Sequence, residues 1–270
     1  MLIVVALAAC ANPASDAGSG DDEPQRYATD GTVLESPDHG PELCFAVADS
    51  YPPQCSGIPL VGWDWELVET EQSASGTTWG EFHVVGTYDG AALTVVETGP
   101  IDPSSDDRID FTPPCPEPDG GWVATDAGRT GDEDLQAVMA AAEAEPDSAG
   151  FWIDYTVEPS EGPHGPDDIV VVAAFTGDLE RHEPALRVLW GGPLCVTQLD
   201  RTSRELDRIQ AELGGDVGEE LGLQVIWSGG NVVENVVEVG VIVADEHNRI
   251  AIEERYGAGA VRLVPALTPV

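Results

Sequence analysis

Thr202-Ser203-Arg204-Glu205-Leu206-Asp207-Arg208-Ile209-Gln210-Ala211-Glu212-Leu213-Gly214-Gly215 spells out one complete helix. Thr202 with Glu205 three residues on is a capping box, and Gly214-Gly215 is a stop. Leu206, Ile209 and Leu213 share one face, so the helix must lie on a sheet or a second helix. Strand-like runs surround it, at 194–199 before and at 223–227 and 232–243 after, with Ser228-Gly229-Gly230-Asn231 as the turn between the last two. Residues 246–256 read as a helix closed by Gly257, and 261–264 as a last strand. From Leu194 on, the predicted order is therefore βαββαβ, the ferredoxin-like split motif, in which helices back an antiparallel sheet.

Upstream, 151–157 and 168–175 read as strands joined by the Pro- and Gly-rich loop 158–167. A short helix then starts at Pro184 as its first helical residue and runs to Trp190. Thr130 with Glu133 is a second capping box, followed by the apolar face Leu135, Val138 and Met139 and a stop at Pro146. Pro113-Pro114-Cys115-Pro116-Glu117-Pro118-Asp119-Gly120-Gly121 breaks all regular structure and marks a boundary. Before it the chain reads as β: strands at 43–47, 60–68, 78–88 and 92–97, with a hairpin turn at Asp89-Gly90. Short strands at this spacing suggest a small barrel or sandwich, OB-like as first choice. The expected class is α+β. Its parts are a signal segment at 1–9, an acidic tether at 10–40, a small β domain at 41–112, a Pro-rich junction and helix at 113–149, and an α+β domain at 150–270.

Fifty acidic residues stand against 11 basic ones, all Arg, for a net charge of -39. Such a surface cannot neutralise phosphates, which excludes nucleic acid and anionic headgroups as partners. Part of the Lys depletion follows GC-rich codon usage. A salt-rich habitat is a second source of the acidity, because salt screens a dense carboxylate surface.

Cys44, Cys55, Cys115 and Cys195 form an even set beyond Cys10, which in an exported chain reads as two disulfides. Of the three connectivities, Cys44 with Cys55 and Cys115 with Cys195 is preferred: the first pair flanks a Pro-Pro turn, and the second can pin two domains. The short and long loops would contribute about 3 and about 4.5 kcal/mol on the chain-entropy model. No C-x-x-C pair supports zinc.

Leu7-Ala8-Ala9-Cys10 follows the apolar run 1–9 and precedes the polar segment Asp16-Ala17-Gly18-Ser19-Gly20-Asp21-Asp22-Glu23-Pro24. This resembles the lipobox of bacterial lipoproteins. The resemblance implies lipid on the sulfur of Cys10, a membrane anchor and an extracytoplasmic protein on a flexible spacer. The run lacks a positively charged n-region, so the start is expected upstream. From Gly40 the chain is similar to secreted or lipid-anchored proteins of high-GC Gram-positive bacteria. Phe175-Thr176-Gly177-Asp178-Leu179-Glu180-Arg181-His182 and Asn235-Val236-Val237-Glu238-Val239-Gly240-Val241 resemble pro-region modules of α-lytic-type serine proteases, over roughly 169–264.

No reaction is written into the residues. There is no G-x-S-x-G, P-loop or dinucleotide fingerprint. His39, His83, His164, His182 and His247 are scattered, with His83 read as a strand residue and His182 as a surface residue where a helix starts. Asp106, Asp107 and Asp110 lack the pattern of a calcium loop. No metal, cofactor or catalytic residue is expected. Trp63, Trp65 and Trp79 are a candidate binding surface for a protein, peptide or glycan, although core packing claims at least two of them. The leading expectation is a non-enzymatic, membrane-tethered binding or structural module of the envelope. The alternative is an inhibitor of a secreted protease, which the pro-region resemblance implies, or an envelope hydrolase.

Overall fold

The computed structural model describes residues 24–101, 109–156 and 165–270. The segment Leu7-Ala8-Ala9-Cys10, Asp106, Asp107 and His164 lie outside them. The chain is mixed α+β, and its N-terminal part is built of strands: β1 (Arg26–Ser36), β2 (His39–Ala48), β3 (Gln54–Val61), β4 (Gln72–Ala74), β5 (Thr77–Tyr88) and β6 (Leu93–Gly99). β1 pairs antiparallel with β2 along one edge and with β5 along the other, from Arg26 opposite Thr87 to Glu35 opposite Thr78. β2 pairs with β3, and β5 with β4 and β6, all antiparallel. β3 meets β6 in parallel only at Leu60 opposite Leu93 and Val61 opposite Thr94, so that seam is open over most of its length. Alternation along β5 sends Phe82 and Val84 inward to pack with Val33, Leu43, Ile58, Leu60 and Leu93, while Trp79, Glu81 and His83 take the outer face.

Two expectations for this half are corrected. β1 and the start of β2 occupy residues placed in the tether. Asp30 and Gly31 are poor strand formers on their own, yet the ladder to β5, some fifty residues away, supplies hydrogen bonds that local propensity does not foretell. Residues 62–68 are not a strand: the Asp64 carboxylate accepts the Glu66 N–H at 2.9 Å and turns Trp65–Leu67 into a 3-10 turn.

The rest of the chain contains α1 (Asp132–Ala144), β7 (Ser148–Tyr155), β8 (Ile169–Phe175), α2 (Leu179–Leu189), β9 (Leu194–Gln198), α3 (Ser203–Leu213), α4 (Asp216–Glu220), β10 (Val225–Asn231), β11 (Val236–Val241), α5 (Glu246–Tyr256), β12 (Val261–Pro265) and β13 (Thr268–Pro269). From Leu194 the elements run β9-α3-α4-β10-β11-α5-β12-β13, the predicted succession with α4 and β13 added, but the strands form no single antiparallel sheet. β7, β8 and β9 make one sheet, and β10, β11 and β12 another. In each, an antiparallel hairpin is followed by a helical crossover to a parallel strand. The chain thus repeats one plan, helix-strand-strand-helix-strand, at 132–198 and 203–265.

Local signals account for much of this. Thr202 Oγ1 accepts the Glu205 N–H at 3.2 Å, and Leu206, Ile209 and Leu213 bury themselves against Val237, Val239 and Leu263. Asp245 caps α5 through the Asn248 N–H at 2.7 Å, and Gly257 closes it at φ 87°. Elsewhere the signals mislead. α1 starts from Gly131, whose N–H donates to Asp134 Oδ2 at 3.0 Å, while the Thr130 hydroxyl donates to the Ala127 carbonyl instead of capping. α2 begins five residues before Pro184, which sits inside it and leaves one carbonyl without its helical partner. Ser228-Gly229-Gly230 lies within β10; the turn is at 232–235, where Asn231 Oδ1 accepts the Glu234 N–H and Asn235 takes a left-handed conformation at φ 56°.

The disulfides are Cys44–Cys55 and Cys115–Cys195, the preferred pairing. The long one joins no two domains. Cys115 and Trp122 belong to the segment 109–125, which lies over Trp152, Val170, Val172 and Ala174, on the face of β7–β9 away from α1 and α2. Trp152 Nε1–H donates to the Phe111 carbonyl at 3.1 Å, and the Thr125 N–H to the Gly191 carbonyl at 2.7 Å. The division near residue 150 is also crossed. β13 pairs with β1, Ile242 and Leu267 complete the core of the N-terminal sheet, and the Val270 N–H donates to the Arg26 carbonyl at 3.0 Å.

Candidate functional site

The tip of the β2–β3 hairpin carries Tyr51 out to 80% exposure, where its ring meets Trp79 edge-on at 5.9 Å between centroids. The hairpin is stiffened by Cys44–Cys55, whose Cα atoms are 5.6 Å apart and which ties β2 to the start of β3. Trp79 stands on the outer face of β5, opposite in direction to Phe82. Trp79 borders a hollow of about 390 Å³ lined also by Thr32, Val47, Pro53, Gln72 and Glu81, and Tyr51 stands against Trp79 outside that lining. Two aromatic rings beside hydroxyl, amide and carboxylate groups can stack on a ligand and fix its orientation at once.

Trp63 and Trp65 do not share that surface. They pack edge-on to each other at 5.3 Å and against Phe82 at 5.1 and 6.0 Å, capping one end of the N-terminal core. Trp65 Nε1–H donates to Glu35 Oε2 at 2.6 Å, while the indole nitrogen of Trp63 is buried without a hydrogen-bond partner among the described residues. The expected trio is thus split: Trp79 borders the hollow, and the other two are packing residues. The member that sequence reasoning missed is Tyr51. Its position between Ser50 and Pro52-Pro53 was a local signal for an exposed loop tip.

A second hollow, of about 530 Å³, lies between β1, β2 and the C-terminal strand β13. At its rim His83 Nδ1 is 2.7 Å from Asp30 Oδ1, both side chains partly exposed. Among the described residues, His83 has no other hydrogen-bond partner. Asp110, a third member of the acidic run weighed for calcium, is turned onto Thr112, whose hydroxyl and N–H hold its carboxyl below the usual range. His39 bonds to the Gly40 carbonyl and His247 lies in the first turn of α5, and neither lines these hollows.

His182 is neither exposed nor a simple surface residue. It is 2% exposed and stacks on Phe175, and its Nε2 lies 2.8 Å from Asp147 Oδ2. Arg181 Nη2 stands 3.1 Å from the same nitrogen and 3.1 Å from Glu145 Oε2. Burial alone would raise the Asp147 carboxyl, but the His182 hydrogen bond and the charges of His182 and Arg181 outweigh it and hold it low.

No protein-family model matches the chain, and no curated protein matches it.

Proposed function

We propose that this protein is a lipid-anchored module of the extracytoplasmic envelope, and that it captures an extended peptide or glycan beside Tyr51 and Trp79. The observation that carries this reading is Trp79, outward on β5 at the border of a polar hollow, with Tyr51 edge-on to it from the tip of a hairpin held by a disulfide. Two disulfides favour an oxidising compartment. A net charge of -39 favours a neutral or basic ligand over an anionic one. No described helix is long and apolar enough to cross a membrane, so attachment in this reading rests on lipid at Cys10. The succession of pairings β1-β2-β3-β6-β5 and back to β1 supports an OB-like N-terminal unit, a framework that presents ligands on strand faces and hairpin loops.

Two experiments test the two halves of this reading. Cys10→Ser should release the chain from the membrane fraction, and unchanged fractionation would contradict the anchor. A photoreactive phenylalanine analogue at Tyr51 of the full chain on intact cells should cross-link envelope peptide or glycan. The same probe at Asp207, on the exposed side of α3, should not. Equal labelling from both positions would sink the ligand site, and a secreted protease as the dominant adduct would turn the reading to inhibition.

A further inference from the structure

The geometry points to a divalent metal site of the zinc class at Glu145, Asp147 and His182, with the Arg181 guanidinium holding the cation's place in the metal-free protein. The three side chains come from different elements. Glu145 caps the end of α1, Asp147 precedes β7, and His182 sits in the second turn of α2. Their ligand atoms all lie within 4.8 Å of one another. The imidazole is fixed in plane by Phe175, so Nε2 has one direction in which to point.

Hydrogen bonding alone does not satisfy this cluster. Nε2 faces a carboxylate oxygen at 2.8 Å, which demands a hydrogen on it, and a guanidinium nitrogen at 3.1 Å, which demands a lone pair. It cannot offer both. Independently, Asp147 Oδ1 is buried and has no hydrogen-bond partner among the described residues, with Arg181 Nη2 3.7 Å away. A metal ion removes both conflicts, because imidazole nitrogen and carboxylate oxygens are all lone-pair donors to it. Arg181 is 54% exposed at its side chain and free to swing outward when the ion enters. One imidazole and two carboxylates leave a tetrahedral ion an open fourth position for water or a ligand group. Nothing in the sequence marks this set, since His182 lies 35 residues from Asp147.

The test is zinc chloride titrated into the full chain in 1 M NaCl, with bound metal counted after dialysis and affinity read by calorimetry. High salt screens the acidic surface. One zinc per chain is expected. Glu145→Gln should weaken binding about tenfold, and Arg181→Gln, by removing the competing cation, should tighten it about tenfold. Both positions are partly exposed, and circular dichroism checks that the variants fold. Binding at many weak sites that neither substitution changes means an adventitious ion only and overturns the proposal. So does an Arg181→Gln variant that binds no tighter than the parent.

Discussion

The imidazole of His182 lies flat on the phenyl ring of Phe175, with centroids 3.6 Å apart and planes 3° from parallel. That contact anchors α2 to the end of β8, where Phe175 is fully buried. His182→Ala would open a cavity and strip Asp147 of its hydrogen-bond partner. Removing a buried ring of this size costs about 2–4 kcal/mol, so the melting temperature should fall by roughly 5–15 °C in a chelating buffer. A change under about 2 °C would show that the stack holds nothing together.

Gly191 is fixed by the approach of another stretch of backbone. A Cβ there would sit 2.1 Å from the Asp126 carbonyl oxygen, while Gly191 also accepts the Thr125 and Asp126 N–H groups. Gly191→Ala should push the 109–125 segment off the sheet. The cost is about 2 kcal/mol or more, read as a lower denaturant midpoint together with faster proteolysis near Trp122.

Asp154 on β7 has its carboxyl pushed up by burial and by the charge of Asp110. A raised carboxyl pKa means that the fold prefers the protonated form. Its contribution is fully present below the unfolded value and is lost as pH rises through the folded one. Asp154→Asn should therefore stabilise the protein at pH 7 and confer no advantage at pH 3. Thermal melts of both proteins across that range check the sign, and a variant less stable at pH 7 would refute it.

With 50 acidic against 11 basic residues, repulsion opposes the folded state at low salt. Individual pairs offset little of it. Arg262 bridges Glu234 and Glu238, which raise its pKa further, but the group is on the surface. The melting temperature should climb several degrees from 50 mM to 1 M NaCl, each kcal/mol of relieved repulsion being worth about 2–4 °C. A flat curve would remove salt adaptation as a reason for the composition.

Features set by neighbours along the chain are legible in the residues themselves. Thr202 and Glu205, Asp89-Gly90 and Gly257 punctuate their elements through bonds a few residues long, and the Asp89 carboxylate does accept the Ala91 and Ala92 N–H groups. What depends on distant partners is not legible there. β1 looks like spacer until β5 lies beside it, and His182 looks like a surface residue until Phe175 and Asp147 enclose it. Trp63, Trp65 and Trp79 are alike in sequence, but a 3-10 turn sends two to the core and the pleat of β5 sends the third outward. The repeat at 132–198 and 203–265 is hidden because its two halves share pairing and not wording.

The proposed capture beside Tyr51 and Trp79 is tested most directly by sedimenting the full chain carrying Cys10→Ser with purified envelope fragments of the producing organism in 0.5 M NaCl. The chain with both rings should bind saturably. Tyr51→Ala combined with Trp79→Ala should lose about tenfold or more in affinity while keeping the parent's melting curve, as truncation of paired aromatic anchors does elsewhere. Equal binding by the two chains, or binding by neither, would contradict the assignment of this hollow as the ligand site.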